Sequence, residues 1–200
     1  MRKLNETVLK WINSIDLSGV KRITKRIHSE ESLYFSFNYT DVLEKIYDIP
    51  EEKVCHIHGS KCERQVIMGH GNIDVINKFK DRTIEEENRF EKNRATVSNG
   101  IYEFYTASFK DTKKIIEEHT LEFNKYSGVK EIHIYGHSFG EVDIPYFKEI
   151  KKKVLKDADW YFYIYCKPIE FVEVKKEWKN KLKNLRICDK HLHILSTDSF

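Results

Sequence analysis

Apolar runs of strand length alternate with helix-period stripes along most of this chain, and that order limits its fold more than any other feature. Strand patterns occupy residues 33–38, 54–58, 66–69, 131–135, 160–166 and 191–195. The stretches between them read as helices. Leu4, Val8, Leu9, Trp11, Ile12 and Ile15 recur at three- and four-residue spacing, which puts an amphipathic helix at the start. Residues 41–47 form a short helix closed by Ile49-Pro50. Residues 101–126 carry the longest stripe, from Ile101 through Phe104, Tyr105, Ser108, Thr112, Ile115, Ile116 and His119 to Phe123, with Gly128 as a stop. A helix over 145–155 has Asp143 as its cap and Pro145 in its first turn, where the missing N–H is not needed. A last helix covers 168–182.

Strand and helix in alternation predict an α/β fold with a mostly parallel sheet and helices on its faces. The 200 residues suffice for one such domain over 1–200. Residues 81–100 are crowded with charge and are expected as a charged lid or helical insertion. Aromatic residues make up 13% of the chain, enough for an ordinary core, which excludes a disordered class. The net charge is only +3, so no dedicated nucleic-acid patch is expected. No apolar run approaches the roughly 18 residues of a membrane helix, no secretory leader opens the chain, and no membrane partner is expected. Four cysteines are too few for a disulfide scaffold, which fits free thiols in the cytoplasm.

In parallel sheets, ligands sit beyond the carboxyl ends of the strands. Four such ends here are unusual. They read Phe37-Asn38-Tyr39-Thr40-Asp41, His56-Ile57-His58-Gly59-Ser60, Met68-Gly69-His70-Gly71-Asn72 and Tyr135-Gly136-His137-Ser138-Phe139-Gly140, the last running on to Asp143. Five of the eight glycines fall in these turns, where a missing side chain lets backbone N–H groups approach a ligand. Each residue also has a plainer use: Asn38 as a helix cap, His58 as a buried histidine bonded to backbone, the glycines as turn formers. A shared site requires the ends to converge in space.

The strings FNYTDVLEKIY, VCHIHGS, VIMGHGN and IYGHSFGEVDIPYF, in that order, resemble the bacteriophage abortive infection family AbiH. They span residues 37–147. That family looks like a distant branch of the sirtuin-like NAD-binding folds, three-layer and Rossmann-like with helices on both faces. The resemblance implies a role in anti-phage defence, with NAD or a related nucleotide as substrate and no prosthetic group. It implies that Asn38 bonds the nicotinamide-side ribose, that His58 acts on a ribose hydroxyl, and that Gly136 and Ser138 contact the nucleotide. Thr40, Gly59, Gly69, His70, Gly71, His137 and Asp143 stand beside them as binding candidates, and Asp41 as a third catalytic one. Sirtuins place an acid two residues after the Asn; here that position is Thr40 and the acid is Asp41. Family members usually begin with a strand and a glycine-rich phosphate turn, and none precedes Leu33, so an N-terminally incomplete domain is expected. A phage-derived trigger and an oligomer are the other partners such a role brings in.

Cleaving the nicotinamide–ribose bond builds positive charge on the ribose, while nicotinamide leaves neutral. Asn38 can donate to and accept from a hydroxyl, and a neutral imidazole at position 58 is a suitable general base. Asp41 or Asp143 would stabilise the charge or orient a water. Three other readings stay open. Gly136-His137-Ser138-Phe139-Gly140 matches the serine-hydrolase elbow, with Asp159 or Asp189 and His191 or His193 to complete a triad. His56 and His58, near Cys55, Cys62 and His70, suggest a metal pair, although the spacing fits no common zinc pattern. A non-catalytic nucleotide sensor or an inactive remnant is the fourth.

Overall fold

Every strand pairing in the computed structural model is parallel. The structure describes residues 2–22, 31–61 and 66–197. Where the pattern suggests one domain, the chain divides into two units, Met1–Asp111 and Thr112–Phe200, and each is described by itself. Its class is α/β, with short parallel sheets and abundant helix.

The first unit opens with α1 (Arg2–Ser14), where the apolar stripe predicts it. Ile12 is buried and Trp11 is 64% exposed, because adjacent residues on a helix point apart. Strand β1 (Tyr34–Ser36) leads into α2 (Val42–Tyr47), and β2 (Val54–His56) returns beside β1, with Ser36 opposite His56. Both strands are shorter than their apolar runs. Helices α3 (Ile73–Asn88) and α4 (Lys92–Ala107) then pack on each other. Asn72 caps α3 by accepting from Val75 N at 3.1 Å. Residues 81–100 form the turn of this pair and its flanks. Phe90 sits at its tip with φ 60°, and the buried Glu86 accepts from Ser98 Oγ (2.7 Å) and Arg82 Nε (2.9 Å).

Two expectations fail in this unit. Residues 66–69 form no strand. Ile67 N donates to His58 O, and among the described residues the only ladder contact nearby is a single bridge from His70 to Phe109. Glycines at 69 and 71 interrupt any longer ladder. The helix expected over 101–126 is broken as well. His70 N donates to Ser108 O (3.1 Å) and Lys110 N donates to His70 O (2.9 Å), so residues 108–110 are drawn out of the helix. The boundary between the units follows at Asp111.

The second unit begins with α5 (Thr112–Glu118) and α6 (Thr120–Asn124). His119 Nδ1 donates to Ile115 O at the break between them. Then come β3 (Glu131–Tyr135), α7 (Ile144–Lys153), β4 (Asp159–Ile164), α8 (Phe171–Leu182) and β5 (Leu192–Ser196). The sheet order is β3-β4-β5. Trp160, Phe162, Tyr146, Phe123 and Leu182 are almost fully buried and form the core. Truncating a buried Phe or Trp such as these costs about 3–5 kcal/mol.

Gly69 has φ +153°, and a Cβ there would lie 2.1 Å from Ser108 O. Gly69→Ala is therefore expected to destabilise the protein by about 2 kcal/mol or more. Gly100→Ala, inside α4 where a Cβ meets nothing within 4 Å, should stabilise it by up to about 1 kcal/mol. Thermal denaturation followed by circular dichroism checks both signs.

Candidate functional site

In the first unit Asn38 and His58 each stand two residues beyond the last register partners of the parallel pair, Ser36 and His56. The Asn38 main chain is held tightly. Its N–H donates to Ser36 Oγ (3.2 Å), and its carbonyl accepts from Ser36 Oγ (3.3 Å) and from His56 Nδ1 (2.9 Å). Its side chain is exposed, and among the described residues the carboxamide meets no hydrogen-bond partner. His58 is 4% exposed, with its ring 5.5 Å from Phe37 and 6.4 Å from Tyr39 between ring centres.

Sequence reasoning noticed His56 only as half of a metal pair and missed Glu44 altogether. His56 Nε2 lies 2.7 Å from Glu44 Oε1. Both ring nitrogens of His56 face oxygens, Asn38 O and Glu44 Oε1. The side chains of His56 and Glu44 are 6% and 15% exposed, and breaking such a buried pair costs about 3 kcal/mol or more. The signal was the position of Glu44, three residues after Asp41 on the helix that begins at the strand end. His70 is also committed: its Nε2 donates to Tyr105 O (3.0 Å) and its Nδ1 accepts from Asn72 N (3.1 Å). Both ring nitrogens of His56 and of His70 are engaged by neighbouring groups, and Cys62 lies outside the described residues.

Asp41 precedes α2 but makes no capping bond. Its carboxylate is buried and lies 2.5 Å from Lys45 Nζ. Burial by itself would raise the Asp41 carboxyl, but the Lys45 ammonium, a backbone hydrogen bond and the charge of Lys61 outweigh it and hold the group below its ordinary value. Asp41, Glu44, Lys45 and Asp48 line a hollow of about 410 Å³. Thr40 and Gly59 flank Asn38 and His58 in the chain, Gly59 with its N–H on His56 O. Gly69 and Gly71 are exposed on either side of His70.

In the second unit Gly136, His137 and Ser138 follow β3 and line a cleft of about 550 Å³ with Tyr163, Tyr165, Lys167, Glu170 and Trp178. The loop takes its shape from Phe139. This residue adopts φ +55°, uncommon for a bulky side chain, and is buried against Phe147 (4.3 Å), Phe162 (5.3 Å) and Trp178 (5.5 Å). Ser138 therefore points outward, and among the described residues its hydroxyl has no partner. His137 Nδ1 accepts from Phe139 N (2.9 Å) and its Nε2 lies 3.5 Å from Asp143 Oδ2. Asp143 stands at the cap position of α7 yet makes no capping bond; its carboxylate turns toward His137 instead.

The serine triad does not assemble. Glu131 at the start of β3 pairs with Asp159 at the start of β4, and Ser138 follows the far end of β3. Along the sheet Asp159 stands four residues, about 13 Å, before Tyr163, which pairs with the last residue of β3, and His193 lies opposite Tyr161 with its Nε2 on Asp159, away from Ser138. Asp159, His191 and His193 form a cluster of their own: Asp159 Oδ1 accepts from His193 Nε2 (2.9 Å) and His191 Nδ1 (3.0 Å), which holds the Asp159 carboxyl low. Asp189 lies in the turn just before β5, at that same end.

The family profile described as bacteriophage abortive infection AbiH matches residues 1–164. The chain belongs to the AbiH family. Membership implies a role in phage abortive infection. All four AbiH-like strings lie within the matched span; the first follows β1, and two others begin within β2 and β3. No curated protein and no solved structure matches this AbiH chain. Among its described residues no helix is long and apolar enough to cross a membrane.

The depressed Asp41 carboxyl sets a pH dependence. Its stabilising contribution is complete above the ordinary carboxylate range and is lost as pH falls through the lowered folded value. Asp41→Asn should flatten the acid side of the stability profile below about pH 4, as read by urea unfolding across pH.

Proposed function

We propose that this protein acts in abortive infection by taking NAD or a related nucleotide as its ligand and hydrolysing it at the nicotinamide–ribose bond, in the cytoplasm. On this reading it has a sirtuin-like, three-layer Rossmann architecture, and a phage-derived trigger switches it on. The observation that carries the proposal is Asn38. Buried groups fix its main chain while its carboxamide faces solvent at the carboxyl end of a parallel strand, ready to donate to and accept from a ribose hydroxyl.

In the reaction the C1′–N bond breaks and its electron pair neutralises the pyridinium ring. Water then adds at C1′ and gives up one proton, for which His58 is the base. The carboxylate of Asp41 adds negative charge near the ribosyl cation.

A second reading has its own support. His58 is only 4% exposed, and Asp41 and Glu44 are both already paired. On that reading the same nucleotide is bound without cleavage and the protein is a sensor. Nicotinamide release from NAD, with calorimetric NAD binding beside it, separates the two. Hydrolysis predicts release that falls about 10²- to 10⁴-fold in His58→Ala. The exposed Asn38→Ala should lower release without loss of fold. A sensor binds NAD and releases nothing. The nucleotide assignment fails if NAD neither binds nor is cleaved. A fluorophosphonate probe should leave Ser138 unlabelled.

A further inference from the structure

The small net charge of the whole chain conceals a basic segment. From Lys167 to Lys190 eight Lys and Arg residues stand against four Asp and Glu. Most of this segment is α8 and its flanks. The helix buries Leu182 and turns Val174 and Trp178 toward the cleft. Its outward stripe is Val172, Lys176, Lys179 and, just past its end, Lys183, which recur at helical spacing. Lys175 and Lys181 are spent within the unit, over the rings of Phe171 and Trp178 at 5.5 Å each. Lys176, Lys179 and Lys183 are exposed and pair with no carboxylate among the described residues.

The leading end of the same stripe is apolar. Tyr165, Ile169 and Val172 are 90%, 89% and 77% exposed, within eight consecutive residues. Scattered apolar residues on a surface are ordinary; three so exposed within eight residues, ahead of a row of unpaired lysines, are not. Phosphate backbones attract the lysines but give the aliphatic side chains nothing to bury against. A lipid surface supplies both, anionic at its boundary and apolar beneath.

We propose that this stripe docks the protein on an anionic lipid surface, with Tyr165, Ile169 and Val172 entering the headgroup region and Lys176, Lys179 and Lys183 lying against lipid phosphates. The contact is peripheral and does not depend on the nucleotide reading. Each lysine is worth roughly fivefold in partitioning at low salt.

Co-sedimentation of the full chain with vesicles of phosphatidylcholine, and of a two-to-one mixture of phosphatidylcholine and phosphatidylglycerol, tests the proposal. Binding is expected to the mixed vesicles and not to phosphatidylcholine alone, and it should weaken with salt. K176E/K179E/K183E should lose on the order of 10²-fold, and I169S/V172S, which keeps the charge, should lose at least severalfold. Lys113→Glu with Lys114→Glu on α5 should change binding less than twofold, and circular dichroism reports that each variant is folded. The proposal is overturned if mixed vesicles do not retain the protein, or if I169S/V172S binds as tightly as the parent. Tighter binding to a single-stranded RNA than to the mixed vesicles would also overturn it.

Discussion

Parallel pairing forces a chain to leave the sheet and travel back before the next strand can begin. All the strand pairs of this protein obey that constraint, and it decides where chemistry can sit. Successive strands point the same way, so their carboxyl ends open on one side of each sheet. In the second unit β4 is the central strand, paired along its length with both neighbours. One of its faces carries Trp160 and Phe162 into the core. The other carries Tyr161 between His133 and His193, with ring centres 4.6 Å apart on each side, close to the spacing of the strands themselves.

Both units use one device at a strand end: bury what fixes the backbone and leave the polar side chain outside. Around Asn38 the fixing groups are Ser36 and His56, and Glu44 holds His56 in turn. Around Ser138 the fixing group is Phe139, whose burial sustains an uncommon backbone angle. A polar group placed this way loses little freedom when a ligand arrives, because its backbone is already set. The same device makes the nearby carboxylates less available, since Asp41 answers Lys45, Glu44 answers His56 and Asp143 answers His137.

Charge is another property that averages hide. A balance of 35 basic and 32 acidic residues gives no reason to expect an anionic partner. Folding sorts those charges onto faces. On α8 the carboxylates Glu173 and Glu177 fall to one side of a stripe that carries Lys176 and Lys179, and only the helical geometry makes that visible.

Local pattern was enough for α1, α2, β3, α7, β4, α8 and β5, because each takes its signal from its own residues: an apolar period, a proline in a first turn, a β-rich run. The parallel pairing and the AbiH strings were legible for the same reason. Tertiary partners decided the rest. The stripe over 101–126 kept its helical period, yet His70 drew residues 108–110 into a bridge and ended the helix. Asp143 looked like a cap and became the partner of His137; His56 looked like a metal ligand and became the link between Glu44 and Asn38. The serine triad had the right residues in the right order, and strand register put Asp159 at the opposite end of the sheet from Ser138. Spacing along a chain fixes which residues share a face, but a hydrogen bond or an ion pair depends on which distant segment arrives beside them, and that distance is set only when the chain folds.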